Sequence, residues 1–140
     1  MDTNEATRDT FGRYADGTDG PGPALMGAHT LLGNDVYNQD NEDLGDIKEF
    51  MIDMATGRVA YAVLSFGGLM GMGNKLFAVP WAALTLDTVN KRFKLNVLKE
   101  TLKDAPGFDK DHWPSMSDET WAIGVHKFYG TPYSASRSTP

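Results

Sequence analysis

Arg58-Val59-Ala60-Tyr61-Ala62-Val63-Leu64-Ser65-Phe66 is the stretch on which the fold turns. Its β-branched and aromatic residues favour extended chain. By alternation, Val59, Tyr61 and Val63 share one face, and Ala60, Ala62, Leu64 and Phe66 share the other. Both faces are apolar. At about 25 cal/mol per Å² of apolar surface, leaving one of them wet would forfeit on the order of several kcal/mol. One face therefore lines a core, and the other is expected to lie under a helix, a terminal arm or a second subunit.

Upstream, Asp53-Met54-Ala55-Thr56-Gly57 reads as a turn, and Leu44 to Met54 as a long strand. That strand has an irregular phase. A one-residue bulge near Lys48 or Glu49 would bring Ile47, Phe50 and Ile52 onto one buried side. Val36 and Tyr37 form a short strand, ended by the polar turn from Asn38 to Asp43.

Downstream, a glycine-rich connection, Gly67 to Gly73, leads to a strand from Leu76 to Val79 that Pro80 stops. Trp81 to Leu84 reads as a turn of helix or a 3₁₀ connector. Thr85 to Asp87 and Arg92 to Val97 make a hairpin around Thr88-Val89-Asn90-Lys91, with Phe93, Leu95 and Val97 turned inward. Six short strands with turn signals between them predict an all-β domain, closed into a small barrel so that no edge is left exposed.

Beyond Val97 the pattern becomes helical. Leu98 to Asp104 reads as a short helix stopped by Pro106. Ser117 is the expected N-cap of a second helix, in which Trp121, Val125 and Phe128 recur at i, i+4 and i+7 and which Gly130 closes. The chain thus divides into a flexible acidic, Gly- and Pro-rich arm over 1–30, a barrel over 31–98, a helical aromatic-rich extension over 99–130, and a loose tail over 131–140.

The 140 residues carry a net charge of −6 and no cysteine. The arm, the barrel and the C-terminal part are each net acidic, which argues against a nucleic-acid groove and against an anionic bilayer. Disulfides and thiolate sites are excluded, and a reducing compartment fits. No stretch approaches the roughly 20 apolar residues that span a bilayer, and no basic-then-apolar leader opens the chain. A cytoplasmic protein without membrane insertion is expected.

Chemistry-bearing patterns are sparse. Gly67-Gly68-Leu69-Met70-Gly71-Met72-Gly73 lacks the spacing of a nucleotide loop and leads into a strand, not a helix. The turn Asp40-Asn41-Glu42-Asp43 lacks the ligand spacing of a calcium loop. Asp109, Asp111 and His112 are close in sequence, but His29 and His126 stand apart from them, so no metal site is assigned. Ser65, Ser115 and Ser117 have no nucleophile elbow or assignable base. No catalytic residue and no cofactor are predicted.

The remaining signals are contact surfaces. Leu69, Met70 and Met72 are apolar side chains on a loop, and methionine adapts well to partner surfaces. Phe108, Trp113, Trp121, Phe128 and Tyr129 form an aromatic series that either packs the extension onto the barrel or anchors an interface. The candidate interface residues are Tyr61, Phe66, Leu69, Met70, Met72, Trp113, Trp121, Phe128 and Tyr129. A non-enzymatic protein-interaction module, self-associating as a homodimer or small homo-oligomer, is the expected function. The alternative is a small-molecule or metal-binding protein, conceivably an enzyme, with a pocket between the barrel and the C-terminal helix.

Three segments resemble the PRC-barrel domain, the family of the photosynthetic reaction centre H subunit. They are Leu44-Gly45-Asp46-Ile47, then Asp53-x-x-x-Gly57-Arg58-Val59-Ala60-Tyr61, then Phe77-Ala78-Val79-Pro80-Trp81-x-x-Leu84. The resemblance covers roughly Leu31 to Leu102. Ala105-Pro106-Gly107-Phe108-Asp109-Lys110-Asp111-x-Trp113-Pro114, with Trp121 and Tyr129-Gly130, resembles an extension of stand-alone bacterial members. The resemblance implies a six-stranded barrel with adaptor behaviour, and it brings no catalytic motif to this chain.

Overall fold

The computed structural model describes residues 23–66 and 75–133. The loop with Leu69, Met70 and Met72, most of the acidic arm and the end of the tail lie outside the described residues.

The elements in chain order are α1 (Ala28–Leu31), β1 (Asp35–Tyr37), β2 (Asp43–Asp53), β3 (Arg58–Phe66), β4 (Lys75–Pro80), a 3₁₀ turn (Trp81–Ala83), β5 (Leu84–Asp87), β6 (Arg92–Leu95), α2 (Lys99–Leu102) and α3 (Glu119–Tyr129). The strands form one sheet in the order β4-β3-β2-β1-β6-β5. Only the β1–β6 pair is parallel; the other neighbours are antiparallel.

This sheet is curled but open, which corrects the expectation of a closed barrel. β4 and β5 are its two ends. The place beside β4 where a closing strand would sit is taken by Phe108, whose N–H donates to the Leu76 carbonyl at 2.8 Å and whose carbonyl accepts the Leu76 N–H at 2.9 Å. At Leu76 the edge is thus paired with the extension and not with β5.

β2 carries the expected bulge, seen as a register shift between Ile47 and Glu49, and a second shift between Met51 and Ile52. The first leaves Ile47 buried and Phe50 partly buried against the core. The second overturns the expected burial of Ile52, which is 51% exposed, because it offsets Ile52 from the phase of the residues before it.

The main core gathers Val36, Leu44, Ile47, Ala62, Leu64, Phe66, Phe77, Val79, Phe93 and Leu95 inside the curl, joined by Leu31 of α1 and Leu102 of α2. A second, smaller core lies on the other side of β3 and β4, where Tyr61 and Ala78 meet Val125 of α3, with Trp121, Phe108, Met51 and Met116 around them. Around Tyr61 the second apolar face of β3 is therefore roofed by the chain's own C-terminal helix, whereas Val59 is not part of this cluster. That helix is capped by Asp118, one residue later than expected: its carboxylate accepts the Thr120 N–H at 3.0 Å. Gly130 ends it with φ of 71°.

At the β1–β2 turn, Asn38 organises a polar knot. Its side-chain carbonyl accepts the N–H groups of Asp40 and Glu42 at 3.0 and 2.9 Å. Its amide donates to the Glu42 carboxylate at 2.7 Å and to the Val97 carbonyl at 3.1 Å. The Glu42 carboxylate also accepts the Lys99 N–H at 3.2 Å, tying the turn to the start of α2.

Candidate docking surface

At the far end of β2 from that knot, the sheet opens into an apolar groove. Trp81, carried on the 3₁₀ turn after Pro80, stands edge-on to Phe50 of β2 and to Phe93 of β6, with ring centroids 5.9 Å apart in each case. With Ile52, Val59 and Leu86 these rings form one wall, and Pro23, Ala24, Met26, Ala28 and Leu31 form the other, around about 260 Å³. Every lining side chain is apolar. Trp81 nevertheless remains 38% exposed, and Leu25, Ile52 and Met54 are more exposed still. The groove's one side-chain polar group is the Trp81 indole N–H, and a surface so apolar gains free energy when another apolar surface covers it.

Ile52 also borders a second cavity of about 300 Å³, lying between the β2–β3 hairpin and the C-terminal segment. Its lining is mixed: Met51, Ala60, Tyr61, Met116 and Tyr133 beside the polar groups Asp53, Ser117 and Glu119. The Tyr61 hydroxyl lies 3.3 Å from His126 Nε2, and His126 Nδ1 is 2.9 Å from the Thr131 hydroxyl, which holds the chain after α3 against the helix.

The residues read from sequence as contacts fall into different environments. Tyr61 and Phe66 are only 1% and 2% exposed, the first beneath α3 and the second in the main core, so neither reaches the surface of the described chain. Trp121 is half-buried, edge-on to Tyr61 at 5.3 Å. Phe128 and Tyr129 pack on the main core 4.9 Å from each other. The Tyr129 hydroxyl is buried with no hydrogen-bond partner among the described residues, and burial pushes its pKa well above the ordinary phenol value. Trp113 alone of the described candidates is exposed, tilted against Phe108 with ring centroids 4.9 Å apart and its indole N–H donating to the Lys110 carbonyl. Leu69, Met70 and Met72 lie outside the described residues. Sequence reading missed Ile52, Met54 and Trp81. The available signal was Trp81 placed directly after a strand-ending proline, where its ring need not be buried.

The other chemistry-bearing groups serve local structure. His112 Nδ1 sits 2.9 Å from the Asp109 carboxylate in an exposed turn, and this contact, with the Asp111 N–H, holds Asp109 below the usual carboxylate range. Ser115 and Ser117 lie 3.3 Å apart, hydroxyl to hydroxyl. Among the described residues, no three His, Asp or Glu side chains are arranged to hold a metal ion, and no helix is long and apolar enough to cross a membrane.

No curated protein matches this chain. One solved structure similar to it is that of a protein assigned to 16S ribosomal RNA processing, RimM, from Pseudomonas aeruginosa. The two share 20% identity with a TM-score of 0.37, over 56% of this chain and 46% of that one, so this chain spans under half of that protein's length. The model of the PRC-barrel domain matches residues 23–102, more than half of the 140 residues. Its match begins at Pro23, where the groove wall begins, and takes in the whole curled sheet. The chain belongs to the PRC-barrel domain family.

Proposed function

We propose that this protein is a non-enzymatic docking module that associates with a second copy of itself through the apolar groove around Trp81. PRC-barrel domains generally act as protein-interaction modules and are generally non-catalytic. The observation that carries the reading is the groove itself: about 260 Å³ lined only by apolar side chains, with Ile52 and Trp81 open to solvent at its rim. Aromatic anchors beside a preformed apolar recess are the usual energetic centre of a protein interface. The cysteine-free chain suits a reducing compartment, and the cytoplasm is the proposed location.

Sedimentation velocity across a concentration series tests this. Wild type is expected to move from monomer toward dimer by about 100 μM, the micromolar range of a modest interface. Leu25→Asp combined with Ile52→Asp should hold it monomeric with little change in its unfolding midpoint, since both side chains are exposed. A strict monomer at the top of the range, or a dimer untouched by both charges, overturns self-association through the groove.

A cavity of about 300 Å³ between the sheet hairpin and α3 supports a second reading, in which the module also takes a ligand there.

A further inference from the structure

We infer that the cavity between the β2–β3 hairpin and α3 receives a basic side chain, an arginine presented by an extended segment of a partner protein. This rests on the docking-module reading and specifies the chemistry of what docks. The cavity walls are Met51, Ile52, Ala60 and Met116, which suit an aliphatic stem. The half-buried ring of Tyr133 lines it as well, beside the almost fully covered Tyr61, and an aromatic ring attracts a guanidinium through its quadrupole.

Two carboxylates complete the lining. Asp53 ends β2, and Glu119 stands in the first turn of α3. Asp53 accepts the Ala55 N–H at 2.9 Å, and among the described residues neither carboxylate is paired with a cation. Arg58, opposite Asp53 in the ladder, is exposed and does not close on it. Two acids beside an apolar recess, on a chain of net charge −6, are complementary to one long cation. Arginine suits the site better than lysine, because its planar fork can engage a carboxylate while its face lies on an aromatic ring.

The test is a titration of the full chain, labelled at the methionine methyl groups, with a blocked glycine-serine pentapeptide carrying one central arginine, and with its citrulline twin of equal shape and no charge. The arginine peptide should shift the methyl resonances of Met51 and Met116, and the citrulline peptide should bind about tenfold more weakly, the expected cost of losing a charge-assisted contact. Asp53→Asn combined with Glu119→Gln should abolish that preference while leaving the unfolding midpoint in place. Equal binding of the two peptides, or no methyl shift at roughly 10 mM peptide, where even millimolar affinity would be seen, overturns the inference. Binding that emerges only in an Arg137→Ala chain also overturns it, because the occupant is then this chain's own tail. Failure here with dimerisation intact removes the arginine site and leaves the docking reading, whereas a monomer that binds the arginine peptide does the reverse.

Discussion

Gly45→Ala probes the close pass of β2 over β3 on which the curl depends. Gly45 has φ of 121°, a conformation that costs a residue with a side chain about 1–3 kcal/mol. A Cβ at this position would run into the Ser65 carbonyl oxygen and stand 2.9 Å from the Ser65 carbonyl carbon and 3.2 Å from the Phe66 Cα. All three are backbone atoms, so no rotamer change relieves the overlap. The strands must separate where Asp46 pairs with Ser65 and Ile47 with Leu64, above the buried Leu44 and Ile47. Losing one or two ladder hydrogen bonds at about 1 kcal/mol each, and loosening two core side chains, brings the total to about 3–5 kcal/mol. Gly57→Ala is the control: its φ is 76°, but nothing lies within 4 Å of its Cβ position. It should lose only the conformational cost, about 1–2 kcal/mol. Urea unfolding followed by circular dichroism, with matched m values, gives both differences. A gap between the two variants smaller than about 1 kcal/mol, below the net worth of a single ladder bond, would refute the close pass as the reason for glycine.

Two further outcomes follow from the same geometry. The Glu42 carboxylate is held below the usual carboxylate range first by the Asn38 amide and then by the Lys99 N–H. Its folded-state pKa is below its unfolded one, so its contribution is present above about pH 4.5 and is lost as the pH falls through the lowered value. Glu42→Gln should flatten the acid side of a plot of unfolding midpoint against pH; an unchanged acid slope counts against the knot. Gly124 lies within α3 with open space at its Cβ position, so Gly124→Ala should raise stability by about 0.5–1 kcal/mol in denaturant titration, and a loss would contradict that open space.

What could be read from sequence was what local chemistry decides. β3 was legible to both bounds, Arg58 and Phe66, because a glycine-closed turn precedes it and a glycine-rich connection follows. The bulge beside Lys48 was legible because the apolar phase breaks there. The second shift at Met51 and Ile52 was not, since it concerns how β2 pairs with β3 and nothing in β2 alone marks it. Closure was illegible for the same reason: a strand count does not say whether Phe108, far along the chain in the extension, will occupy the edge of β4 at Leu76. α1 escaped notice because it has four residues and no side-chain cap, and its place is fixed by burial of Leu31 in the core. Tyr61 and Phe66 were read as contacts because apolar surface in sequence does not reveal its cover. Tyr61 is covered within the chain by α3, and Phe66 by the core.

The two ends of β2 divide the work of the molecule. Before Asp43, Asn38 and Glu42 join the turn to Val97 and Lys99 through side-chain hydrogen bonds, so that end is tied internally. Around Asp53 the chain leaves Ile52 and Met54 in solvent, with an apolar groove on one side of Ile52 and a carboxylate-bearing cavity on the other. Eleven strand residues at roughly 3.3 Å each put about 36 Å of strand between these ends, well beyond the range at which substitutions couple directly. Changes in the knot should therefore alter stability without altering association, and charges placed at Ile52 should do the opposite. The rim side chains Ile52 and Met54 can stay exposed because Phe93 and Leu31 at the base of the groove belong to the core, and the core and the knot hold the sheet without the rim.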